Sequence, residues 1–124
     1  MNPKLMLMLA ALYGFVGVAC GAFGSHALRA RLTPEMLAVW RTGVEYQFWH
    51  ALALIAVALL AMSRPGPLLN AAGWSFAIGV LLFSGSLYAL SLSGVRVLGA
   101  VTPFGGLLFL IGWALLLVHA ARTL

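Results

Sequence analysis

Leu5-Met6-Leu7-Met8-Leu9-Ala10-Ala11-Leu12-Tyr13-Gly14-Phe15-Val16-Gly17-Val18-Ala19-Cys20-Gly21-Ala22-Phe23-Gly24-Ser25-His26-Ala27-Leu28 runs without a single charged residue. A bilayer core about 30 Å thick is crossed by roughly 20 helical residues, each rising about 1.5 Å. Residues 5–28 are therefore long enough to span a membrane. Three further stretches qualify, at about 44–62, 70–92 and 99–121, although the first turns of 44–62 hold Glu45, Gln47 and His50. Together they take up most of the 124 residues.

The composition agrees. The chain is 64% hydrophobic and 7% charged, with a mean hydropathy of +1.08, whereas soluble domains carry roughly a quarter charged residues. So few charges cannot clothe a water-soluble globule. Disorder is excluded as well, since disordered chains are poor in apolar residues. Ser63-Arg64-Pro65-Gly66-Pro67 breaks the chain between the second and third spans, because proline removes a donor and fixes the backbone. Ser93-Gly94-Val95-Arg96 makes a tight turn after the third. Short connections force neighbouring helices to run antiparallel. The expected fold is all-α: one membrane domain over residues 1–124, a four-helix up-down-up-down bundle. A β-barrel would need alternating rather than continuous apolar residues.

The first connection is the longest. Thr33, Pro34 and Glu35 read as a helix start, with an N-cap, a proline in the first turn and an early acid. Leu37, Trp40 and Val44 then follow at helical spacing. The favoured reading is a short amphipathic helix lying at the interface, anchored by Trp40. The alternative is a simple extension of the second span.

The net charge of +5 does not indicate a nucleic-acid partner, because the seven basic residues are scattered singly among apolar runs rather than clustered on one face. One cysteine, Cys20, allows no intrachain disulfide, and its surroundings match a lipoprotein signal poorly. Lys4, Arg64 and Arg122 fall on one side of the membrane with the amino terminus; Arg29, Arg31, Arg41 and Arg96 fall on the other. The cation count is a tie and sets no orientation.

The topology gathers polar residues. The face carrying the first and third connections, here side B, receives His26 from the first span and Glu45, Tyr46, Gln47 and His50 from the second. Ser84, Ser86 and Tyr88 come from the third span, and Thr102 from the fourth. Polar side chains in a bilayer avoid lipid and face partners or a wet cavity. A polar pocket, closed at mid-membrane and open toward side B, is expected. Glu45 reads either as a free carboxylate for a cation or proton, or as the partner of Arg41, Arg29 or Arg31 in an ion pair. His26 and His50 at one depth invite a metal or haem reading, but a histidine pair also arises when each ring bonds a serine or a carbonyl. No metal and no cofactor is expected. Gly14, Gly17, Gly21 and Gly24 form a stripe on the first span, with Gly105, Gly106 and Gly112 on the fourth. Small residues let helices approach closely in lipid, so these are expected to pack within the bundle, or against a second copy of the chain.

Four stretches make the sequence familiar: Gly21-Ala22-Phe23-Gly24-Ser25-His26-Ala27-Leu28; residues 42–54, from Thr42-Gly43-Val44-Glu45-Tyr46-Gln47 through Trp49-His50; Leu82-Phe83-Ser84-Gly85-Ser86-Leu87-Tyr88; and Thr102-Pro103-Phe104-Gly105-Gly106. In this order the chain resembles the small membrane proteins of domain of unknown function 423, also called uncharacterised protein family 0382. The resemblance implies a four-span protein of the bacterial inner membrane. It supplies no catalytic residues.

The functional expectation is a non-enzymatic accessory, scaffold or lipid-head-group-binding protein, with Arg29, Arg31 and Arg41 beside the pocket to meet an anionic group. Membrane lipids are the expected partners, together with other membrane proteins or a second copy. Two alternatives stand: a membrane enzyme acting on lipid or acyl substrates with a histidine base, and an oligomeric transporter or channel.

Overall fold

The computed structural model describes all residues from 1 to 124. It contains four long helices: α1 (Pro3–Leu28), α2 (Pro34–Ser63), α3 (Pro67–Ser93) and α4 (Thr102–Thr123). A 3-10 turn, Arg96–Ala100, leads into α4. The first three have 26, 30 and 27 residues, about 39 to 45 Å, and α4 has 22, about 33 Å. All four exceed the hydrocarbon thickness of a bilayer.

Local chemistry sets the ends. A proline stands in the first turn of every helix, where its missing N–H costs nothing. Asn2 Oδ1 accepts the Leu5 N–H at 2.8 Å and Thr33 Oγ1 accepts the Met36 N–H at 3.2 Å. Gly94 closes α3 at φ 70°, with its N–H on the Leu90 carbonyl at 2.8 Å. That left-handed cap is open to glycine and strained for nearly every other residue.

No separate interfacial helix precedes the second span. Residues 34–63 form one unbroken helix, so the stretch read as amphipathic is the start of α2. The reason lies in its buried stripe: Leu37, Trp40, Gly43, Gln47 and His50 follow one another at helical spacing and all face the bundle. Trp40, expected as a surface anchor, is buried, and its Nε1 donates to the Cys20 carbonyl at 3.0 Å. The acceptor sits in a π-helical turn of α1, Ala19–Gly24. The same carbonyl also receives the Ser25 N–H and, at 3.3 Å, the Ser25 hydroxyl.

Contacts between helices fall in descending register. Gly17, Gly21 and Gly24 of α1 meet Phe48, Val44 and Trp40 of α2, while Gly79, Gly105 and Gly112 join α3 and α4 through Phe109, Phe83 and Phe76. Tyr46 and His50 of α2 meet Phe83 and Phe76 of α3 in the same descending order, so successive helices run antiparallel. α2 and α3 form the centre; α1 packs mainly on α2, and α4 on α3. Leu54, Val57, Leu69, Ala72 and Phe76 are fully enclosed. The outside is apolar: Phe15 and Leu117 are 75% and 70% exposed, as lipid-facing side chains must be. The opposite end, side A, is tied by the terminal ammonium on Asn70 Oδ1 at 2.7 Å and by His119 Nε2, which donates to the Arg64 carbonyl at 2.8 Å. His119 is buried there.

The glycines differ in what they allow. A β-carbon on Gly105 would overlap the backbone of Phe83, and one on Gly112 would come within 2.6 Å of the Phe76 ring. Gly106 has only an ordinary contact with Phe83, and nothing lies within 4 Å of Gly14. Gly105→Ala is therefore expected to destabilise the protein by about 1–3 kcal/mol by pushing α3 and α4 apart. Gly14→Ala is expected to be neutral or stabilising by up to about 1 kcal/mol, from helix propensity. Unfolding by SDS titration in mixed micelles, followed by tryptophan fluorescence, checks both.

Candidate functional site

In the side-B half of the bundle, polar side chains tie helices together. Gln47 on α2 is buried at the meeting point of three helices. Its Nε2 donates to the Tyr13 carbonyl of α1 at 2.8 Å, and its Oε1 accepts from the Tyr88 hydroxyl of α3 at 2.7 Å. The Tyr13 hydroxyl in turn donates to the Ala77 carbonyl at 2.7 Å. Tyr88 also packs its ring against Trp40 at 4.6 Å between centroids, and Gly43 makes room for it: an added β-carbon would lie 2.9 Å from that ring. Ser84 donates to the Gly43 carbonyl at 2.6 Å, and Ser86 shares a hydrogen bond with Thr102 of α4, also at 2.6 Å.

His50 is enclosed between α2 and α4. Its Nδ1 lies 2.8 Å from the Tyr46 carbonyl, and its Nε2 lies 3.1 Å from Trp113 Nε1. A carbonyl only accepts and an indole N–H only donates. The ring is therefore the neutral Nδ1–H tautomer, donating at one nitrogen and accepting at the other. It also stacks on Phe109 at 3.5 Å and 7°. Both nitrogens are engaged, so His50 offers a lone pair only if Trp113 lets go.

The chain's largest cavity lies beside this ring and is not the polar pocket the sequence suggested. It is a cleft of about 730 Å³ between α2 and α4, with Tyr46, Trp49, His50, Phe83, Phe109 and Trp113 among its walls. Trp49 and Trp113 are half exposed at its rims. Its α4 wall runs from Pro103 to Trp113, about 15 Å of helix from the side-B end to the middle of the span. Sequence reading missed Trp49, Phe83, Phe109 and Trp113. The signal was present: Pro103, Gly106, Leu107, Leu110 and Trp113 recur at helical spacing on one face of α4.

The remaining candidates lie apart. His26, at the end of α1, is exposed and does not meet His50. Arg29, Arg31 and Arg41 are exposed, as is Glu45. Glu45 forms no ion pair with any of them; the chain's one ion pair joins Arg96 to Glu35 at 3.7 Å. Tyr46, Gln47 and Glu45, neighbours in sequence, point into different seams: Tyr46 to α4, Gln47 to α1 and α3, and Glu45 to a surface hollow beside α1. Every buried side-chain nitrogen and oxygen has a partner.

The Gln47–Tyr88 pair gives a test of this bonding. Gln47→Leu leaves the Tyr88 hydroxyl without its acceptor and is expected to cost about 1 kcal/mol or more, because a stranded polar group loses more than the bond itself. Adding Tyr88→Phe is expected to restore part of that loss. The stability order Gln47→Leu below Gln47→Leu/Tyr88→Phe, read by the same SDS unfolding, checks it.

Comparison with known proteins agrees with a membrane location. The protein family of unknown function DUF423 matches residues 20–106. The UPF0382 membrane protein YwdK of Bacillus subtilis is 43% identical over 122 residues, covering 98% of this chain and 99% of that protein. A UPF0382 membrane protein of Staphylococcus haemolyticus is 44% identical over 119 residues, 96% and 97% of the two chains. The UPF0382 inner membrane protein YgdD of Escherichia coli is 43% identical over 122 residues, 98% and 93%. No solved structure matches. With four apolar helices long enough to cross a bilayer and relatives of this kind, the chain is a multi-pass protein of the bacterial inner membrane and belongs to the DUF423, or UPF0382, family.

Proposed function

We propose that this protein is a non-enzymatic lipid binder, which holds an acyl chain of a side-B lipid in the cleft between α2 and α4. The observation that carries the reading is the cleft itself. Its volume of about 730 Å³ falls in the range of ligand sites, roughly 300–1,000 Å³. Its walls are aromatic and apolar, and its depth matches half a bilayer. The exposed Arg29, Arg31 and Arg96 stand at the same end, where the lipid's anionic group would lie.

The arrangement favours neither alternative. A general base must reach a proton it can take. His50 has both nitrogens engaged, His26 stands exposed away from it, and Ser84 and Ser86 are held by a carbonyl and by Thr102. A transporter needs polar groups in a continuous path, but Glu45 and His26 lie on outer surfaces.

Gly106 lines the cleft, and its β-position meets only an ordinary contact. Gly106→Leu should fill the space without parting the helices. Lipid retained by the purified protein, extracted and measured by mass spectrometry, is expected to fall by about half or more per chain. Unchanged lipid in a stably folded Gly106→Leu protein would overturn the proposal.

A further inference from the structure

Arg41 and Glu45 line a hollow of about 320 Å³ together with Gly21, Ser25 and Val44, at the side-B end of the seam between α1 and α2. The two charged residues are one helical turn apart and both exposed. A cation preceding an anion by four residues is the weaker order for a helical ion pair, and here they do not pair. Glu35, the chain's other acid, has Arg96; Glu45 has no basic side chain. Across the seam, Gly21 lies roughly 12 Å along the helix from Arg29. A carboxylate carried that far toward the apolar zone is costly unless a cation meets it.

One hollow thus presents an unpaired guanidinium and an unpaired carboxylate, with a serine hydroxyl beside them. We infer that it is a head-group site for a zwitterionic phospholipid bearing a primary ammonium, with the phosphate on Arg41 and the ammonium on Glu45. A guanidinium matches phosphate oxygens in bidentate geometry. A primary ammonium has three N–H donors for a carboxylate. A trimethylated choline head group has no such donor, and a glycerol head group has no cation. The hollow shares no lining residue with the acyl cleft and stands independently of it.

The test uses the full chain in detergent, titrated with ethanolamine, choline and glycerol phospholipids of identical acyl chains and read by native mass spectrometry. The ethanolamine lipid is expected to bind about tenfold better than either of the others, the size of one charge-assisted hydrogen bond. Glu45→Gln is expected to abolish the preference over the glycerol lipid, while Arg41→Gln weakens binding of both. Both side chains are exposed, and a single monodisperse species on elution reports that the variants fold. Equal binding of the three lipids, or an ethanolamine preference that survives Glu45→Gln, would overturn the assignment. Gly106→Leu, which fills the other site, is expected to keep the preference whatever happens to its total lipid. Loss of the preference there would place the head group elsewhere.

Discussion

Inside a bilayer a polar group has no water to turn to, and this constraint governs the bundle. Each side-chain donor buried between the helices must find an acceptor on a neighbour or on its own backbone. Gln47 shows how tightly that binds the architecture. Its amide has a donor end and an acceptor end, and the structure satisfies them on two different helices, Tyr13 of α1 and Tyr88 of α3. Rotating α2 by one residue would break both bonds. The serines repeat the pattern with smaller reach: Ser84 takes a carbonyl of α2, and Ser86 takes the hydroxyl of α4.

Such bonds need close backbones, and lipid offers no hydrophobic drive to bring helices together. Missing side chains do that instead. Gly17, Gly21 and Gly24 admit Phe48, Val44 and Trp40; Gly43 admits Tyr88; Gly79, Gly105 and Gly112 admit Phe109, Phe83 and Phe76. Packing and hydrogen bonding are coupled at these points. Gly43 illustrates it: the absent β-carbon lets in the Tyr88 ring, whose hydroxyl then reaches Gln47, while the Gly43 carbonyl receives Ser84.

Because the polar groups are committed to this framework, what remains open is of another kind. The α2–α4 cleft is aromatic, and the α1–α2 hollow has charge. They flank α2 on different sides near one membrane face. The proposed lipid contacts rest on these two recesses, one apolar and one ionic.

The sequence by itself determined the membrane class, the number of spans, the proline and glycine boundaries and the concentration of polar residues toward side B. Each follows from chain length, apolar runs and local backbone preference, which need no knowledge of neighbours. It marked Gly17, Gly21, Gly24, Gly105 and Gly112, which meet a neighbouring helix closely, together with Gly14 and Gly106, which do not, and it passed over Gly43 and Gly79, which do. Only the tertiary structure decided which neighbour each polar side chain takes. Helical spacing sets the angle of Glu45, Tyr46, Gln47 and His50 around α2, but not which helix stands at that angle. The rotation of the helices about their axes is chosen by close contacts such as Gly105 on Phe83 and Gly21 on Val44. That choice turned an expected polar pocket into inter-helix bonds. It drew the presumed interfacial stretch around Trp40 into the core of α2 and left His26 outside.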